Sequence, residues 1–266
     1  MKLHKRRGLI TVWIVVAALV WLGGVLYFKP YGTELGVPWS PKRSLLGQIF
    51  DFWVLKLPWV LLCFAIVQGN NKWLAPRGHY QEGVEYPLFS PHVYTAIALM
   101  SALFAACGIV HNQLFDLPAA AAALAGVYFN PIVTFFTVWI GGTIRALLFG
   151  QGDPISWFLS VGMSDGTTWM YLSLFYWLFK ETKWGKKVPA RVAFWIVAYW
   201  IWRPLTALPM YLWYVPSQAL IPTMVHFLTV FMTSGTFASL AGVAVGEALI
   251  RSNESKIAPP TITLED

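Results

Sequence analysis

Charge is what this chain has least of. Its 266 residues include 19 lysines and arginines and 12 aspartates and glutamates, a charged share of 12%, against roughly 25% for a soluble globular domain. So little charge cannot clothe a water-facing surface, which excludes an ordinary soluble domain. Cysteine is almost missing as well. Cys63 and Cys107 both fall in apolar stretches, so neither a disulfide framework nor a cysteine metal site is indicated. Polar sequence is confined mainly to residues 69–92, "GNNKWLAPRGHYQEGVEYPLFSPH", whose glycines and prolines read as a linker.

What is present in abundance is apolar: 57% of residues are hydrophobic and 17% aromatic. A bilayer core about 30 Å thick takes about 20 apolar residues per helix, and several stretches approach that length with one charge or none. The expectation is an all-α integral membrane protein of about eight transmembrane helical pieces. They run over 8–28, 49–67, 93–110, a short piece at 117–129, and then 132–149, 156–179, 190–212 and 222–249. Residues 1–90 make a two-helix N-terminal membrane extension and linker, 91–250 a six-helix membrane domain, and 251–266 a tail. The first 21-residue uncharged run follows the basic leader "MKLHKRR" with no small-x-small site after it, so it reads as an uncleaved helix.

Basic loops stay on the cytoplasmic side. Placing both termini there gathers residues 2–7, Lys72, Arg77, the run from Lys180 to Arg191, Arg251 and Lys256 inside, and leaves Lys29, Lys42 and Arg43 outside. The formal charge of +7 is then topology and attraction to anionic lipid, with nothing that suggests nucleic acid. A multi-pass protein of the plasma (cytoplasmic) membrane is expected.

The second half of the chain carries finer pattern. Ala98, Ala102 and Ala106 recur every four residues, one face of a helix. In lipid such small-residue faces let helices approach closely; the stripe serves either packing within the chain or docking of a partner membrane protein. A short helix opens with "DLP" and ends in "FNP". The next contains a "GG" pair, and a "GQGDP" loop leads into a fourth; two more helices follow a basic loop. In this order of features, residues 93–250 resemble the substrate-binding S component of an energy-coupling factor vitamin transporter. The first 90 residues, with two extra spans, and the 15 tryptophans depart from the six-helix pattern of that family.

The resemblance implies a subunit that performs no chemistry, needs no cofactor, and captures a vitamin or related micronutrient in a cavity open to the outside. The stripe Ala98, Ala102 and Ala106 would dock it onto a transmembrane coupling protein driven by ABC-type ATPases.

The ionisable residues read from below give a compatible picture. Charges at membrane depth cost about 2.5–3.5 kcal/mol on insertion scales and face cavities or partners. Arg145, inside "IGGTIRALLFGQGDP", pairs with Asp165 in the structural reading, or snorkels to the outer headgroups. Arg203 sits in "YWIWRPLTALPMYLWYVP", where prolines free backbone carbonyls and aromatic faces surround a fixed cation. Such a site suits a planar ligand with a carboxylate or phosphate. Arg203, Trp202 and Tyr211 are its expected centre, with Trp157, Asp153, Arg145, Asn112 and His226 as further binding candidates at the outer end. Trp195, Tyr199 and Trp202 share one helical face, a spacing that equally describes packed core, and an aromatic belt explains Tyr211 as well.

Two other classes were weighed. Asp165-Gly166 matches the start of the motif of CDP-alcohol phosphotransferases, but the later aspartates needed for metal are missing. Ser234 and His226 lack an oxyanion loop or nucleophile elbow, and His111 and His226 lie too near the outer edge to bracket a haem. A sensory or accessory scaffold shares the small-residue texture. With 17 residues after the last span, no output domain is expected, which leaves a standalone accessory protein as the alternative.

Overall fold

The computed structural model describes residues 11–12, 14–17, 19, 45–76, 79–110, 116–150, 152–214 and 217–257. These residues are helical apart from turns, with no strand among them. The first expected span lies outside the described residues except for its helical fragments between 11 and 19.

Seven long helices follow. They are α1 (Leu45–Gly69), α2 (Pro91–Cys107), α3 (Leu117–Tyr128) and α4 (Pro131–Phe149), then α5, α6 (Val188–Tyr214) and α7. Both α5 and α7 are composite. In α5, Pro154–Ser156 passes through a π-helical turn, Trp157–Val161, into Gly162–Lys180; in α7, Ser217–His226 passes through a second π turn, Phe227–Phe231, into Met232–Ile257. The six helices expected between 91 and 250 are thus present in order.

Their starts are written in the sequence by one device. Proline occupies the first turn of α2, α3, α4 and α5, where its missing N–H is not needed and its φ suits the helix. Asn130, the asparagine of "FNP", caps α4 by accepting from the N–H groups of Ile132 and Val133 at 2.9 and 3.0 Å. Asp153 caps α5 in the same way through Ser156. Each cap satisfies donors that a helix start leaves open.

Helix α5 is the axis of the bundle. From Gly166 to Trp177 all but Phe175 are buried, against α1, α3, α4 and α6. Its buried polar groups are met: Ser173 Oγ and Trp177 Nε1 both donate to the carbonyl of Gly126 at 2.8 Å. The polyalanine helix α3 packs on α7, where a side chain at Gly242 would collide with the carbonyl of Ala120. Helix α1 belongs to the same core, with Val60, Cys63, Phe64 and Val67 buried alongside Phe135, Val138 and Trp169. Residues 69–76 and 79–92 fold onto the bundle too: Trp73, Leu74 and Leu88 are buried, and Asn71 bridges to Val84 and Tyr86.

Among the described residues two helices, Pro131–Phe149 and Ile221–Asn253, are long and apolar enough to cross a membrane; three shorter apolar ones are Lys56–Gly69, Pro91–Cys107 and Leu117–Tyr128. The expected count of about eight spans is met by that measure only in part. Helices α5 and α6 have the length, but they carry Asp165, Thr167, Thr168 and Ser173, and Arg191 and Arg203, into the bundle. The outer surface is apolar: Tyr94, Leu99, Leu147, Leu148, Ile201, Ile221 and Phe237 are all exposed.

Candidate functional site

The ends of α2, α4 and α6 and the starts of α3, α5 and α7 converge at one end of the bundle. Between them lies a cavity of about 310 Å³. All four charged residues of its lining come from different helices or their caps: Asp116 before α3, Arg145 on α4, Asp165 on α5 and Arg203 on α6. Ser164, Thr168 and Thr206 add hydroxyls. The rest is apolar and aromatic, including Phe104, Trp157, Tyr199, Phe227, Phe231 and Met232. Both π turns contribute to the lining, which accords with the tendency of such turns to sit at functional sites.

The two arginines are held differently. Arg203 makes an ion pair with Asp165, and its guanidinium lies 5.7 Å from the ring centre of Trp169. The expected partner of Asp165 was Arg145, and this is corrected: the carboxylate faces α6, as does its neighbour Thr168, which bonds Thr206 at 3.3 Å and accepts Trp202 Nε1 at 3.1 Å through its carbonyl. Nor does Arg145 snorkel outward. It is 8% exposed, and its guanidinium carbon lies 5.0 Å from the Trp157 ring centre and 5.8 Å from that of Phe104. Its Nε, shut off from solvent, has no hydrogen-bond partner, and no ion pair to it is found among the described residues. Asp116 and Asp165 act on it only through space.

Glycine builds this clamp. A Cβ on Gly142 would come within 2.7 Å of the Trp157 ring, so the second glycine of the "GG" pair makes room for the ring that covers Arg145. Gly108 does the same for the Arg145 stem, whose Cγ and Cδ occupy the place of its missing side chain. Trp139 fixes the π turn beside them, donating from Nε1 to the Phe158 carbonyl at 2.7 Å.

Of the expected binding residues, the cavity therefore brings together Arg203, Arg145 and Trp157. Trp202 packs instead against Tyr171 and Phe175, with ring centres 5.4 and 5.2 Å away. Trp195 and Tyr199, its companions on one helical face, are core residues at 1% and 2% exposure. His226 is exposed beside Phe231. Asp153 is exposed and serves as a cap, with the Ser156 hydroxyl, then its N–H, holding the Asp153 carboxyl below the ordinary value. Tyr211 lies on α6, but its side chain, like all of Asn112, falls outside the described residues. Ala98, Ala102 and Ala106 all face outward on α2, so packing within the described bundle does not use the stripe. Reasoning from sequence had passed over Asp116, Phe104 and the two π turns; only the "DLP" and "GG" motifs pointed near them. Among the described residues no three histidines, cysteines or carboxylates gather as metal ligands.

No protein-family model, no curated protein and no solved structure matches this chain.

Proposed function

We propose that the chain is a membrane-embedded substrate-binding subunit for uptake of a vitamin or related small micronutrient, energised by separate coupling and ATPase subunits. The observation that carries this reading is the cavity: enclosed by six helices, of ligand size, and lined by a buried cation, Arg145, with no ion pair among the described residues. A purely structural bundle has no use for such a group, because an unpaired buried charge destabilises its fold. In this reading the protein is not an enzyme; it binds and hands over.

Three further features support it. Large apolar side chains are exposed along α2, α4, α6 and α7, a feature that marks interaction or membrane surfaces and suits a multi-pass protein of the plasma (cytoplasmic) membrane. Lys180, Lys186, Lys187 and Arg251 surround a second cavity at the other end of α5 to α7; with basic loops inside, the binding cavity opens outward and the termini lie in the cytoplasm. The outward stripe of Ala98, Ala102 and Ala106 offers a close-packing face to a transmembrane coupling protein. That same stripe also favours the second reading, an accessory or sensory scaffold that transports nothing. Native mass spectrometry of protein extracted in mild detergent separates the two. Uptake predicts a retained small molecule and co-purifying ATPases; an empty protein that stays empty against a panel of vitamins and precursors excludes it.

A further inference from the structure

The cavity also specifies what kind of solute it takes, an inference that rests on the uptake reading above. Its volume, about 310 Å³, stands at the lower end of the range for small-molecule sites, roughly 300–1,000 Å³. A compact single body fits; a nucleotide-sized or macrocyclic one does not. Charge narrows the choice further. Of the four charged side chains that line the cavity, Asp165 and Arg203 are paired with each other, and Arg145 is the lining cation outside an ion pair among the described residues. One carboxylate completes Arg145.

Position decides where that charge goes. Arg203 already has Asp165, whereas Arg145, held between Trp157 and Phe104 at the cavity wall, has no ion pair among the described residues. Both rings are occupied by the guanidinium, so they hold the anchor and leave the body of the ligand to the apolar lining from α7. We infer that the ligand is a compact monoanionic acid whose carboxylate is received by Arg145, with the Asp165–Arg203 pair positioning the site. A dianionic phosphate would bring a second charge that nothing in the cavity offsets.

The test compares acids with uncharged bodies of the same shape on the intact protein in detergent: nicotinate with nicotinamide, benzoate with benzamide, biotin with biotinamide, and phenyl phosphate as the dianion. Calorimetry or ligand-induced melting shifts give the affinities. The wild type is expected to prefer an acid over its amide by about 10- to 100-fold, the scale of a charge-assisted hydrogen bond, and to bind phenyl phosphate less well than benzoate. Arg145→Gln should erase the preference, and Arg145→Lys should keep part of it, which guards against a variant that merely misfolds. An amide bound as tightly as its acid, a preference for the phosphate, or a preference that survives in Arg145→Gln would overturn the inference and leave solute capture standing. If the wild type binds no member of the panel and also purifies empty, the uptake reading falls and this inference falls with it.

Discussion

Two arginines at opposite ends of the bundle are buried almost equally, Arg191 at 7% and Arg145 at 8% exposure, yet the fold completes one and leaves the other open. Arg191 gives Nε and Nη2 to the carboxylate of Glu247 and Nη1 to the carbonyls of Gly185 and Lys186. The hydroxyl of Tyr176 donates to the same carboxylate. That circuit ties α5, α6 and α7 together with all three guanidinium nitrogens engaged. Arg145 has two aromatic faces and, among the described residues, no ion pair and an Nε without an acceptor. The proposed function supplies a reason, other than stability, for leaving the second arginine less fully satisfied than the first.

The contrast predicts unequal consequences. Breaking the closed circuit should do the most damage: Glu247→Ala leaves Arg191 charged and unpaired and should lower stability by about 3–5 kcal/mol, read as a fall in melting temperature or in folded yield. The double variant Arg191→Leu with Glu247→Leu should recover most of it. At the cavity end Arg203→Ala should cost less, about 1–3 kcal/mol, because Asp165 is partly open to the cavity; adding Asp165→Ala should restore part of the loss in a double-mutant cycle. Arg203→Ala is thus a poor probe of binding, since it disturbs the fold. Arg145→Gln should leave stability within about 1 kcal/mol of the wild type, the lost ring contacts offset by removal of an unpaired charge. A large loss would show that the clamp serves the fold.

The smallest effect concerns the cap below Trp157. The folded Asp153 carboxyl titrates lower than in the unfolded chain, so its contribution is present above the unfolded value of about 3.9 and disappears as pH falls through the lower folded value. Protection of the amides at Ile155 to Trp157, measured against the intrinsic exchange rate at each pH, should therefore fall on acidification below about pH 4, whereas Asp153→Ala should show low protection at every pH. An unaltered pH profile in that variant would remove Asp153 from the cap.

Much of the helix order was legible because its signals are local. The "DLP", "FNP" and "GQGDP" breaks between helices and the Gly141-Gly142 pair are read residue by residue, although the capping roles of Asn130 and Asp153 show only in the structure. The partner of Asp165 was not legible, and the π turns give the reason. A π turn holds an extra residue, which turns later side chains by about 100° relative to an uninterrupted helix. Trp157–Val161 precedes Asp165, and Phe227–Phe231 precedes the rest of α7, so periodicity counted straight through either turn assigns faces wrongly. The place of α1 was hidden for a different reason. Phe64 meets Phe89, Phe135 and Phe136, with ring centres 5.9 to 6.5 Å apart, and nothing in an apolar run says which helix it will touch.

The central claim is that Arg145 is left open for cargo while Arg191 is closed for the fold. Native mass spectrometry of wild type and Arg145→Gln, purified side by side in mild detergent, tests it most directly. The prediction is a small acidic molecule retained by the wild type and lost from an equally folded Arg145→Gln. The same molecule retained equally by both proteins would contradict it.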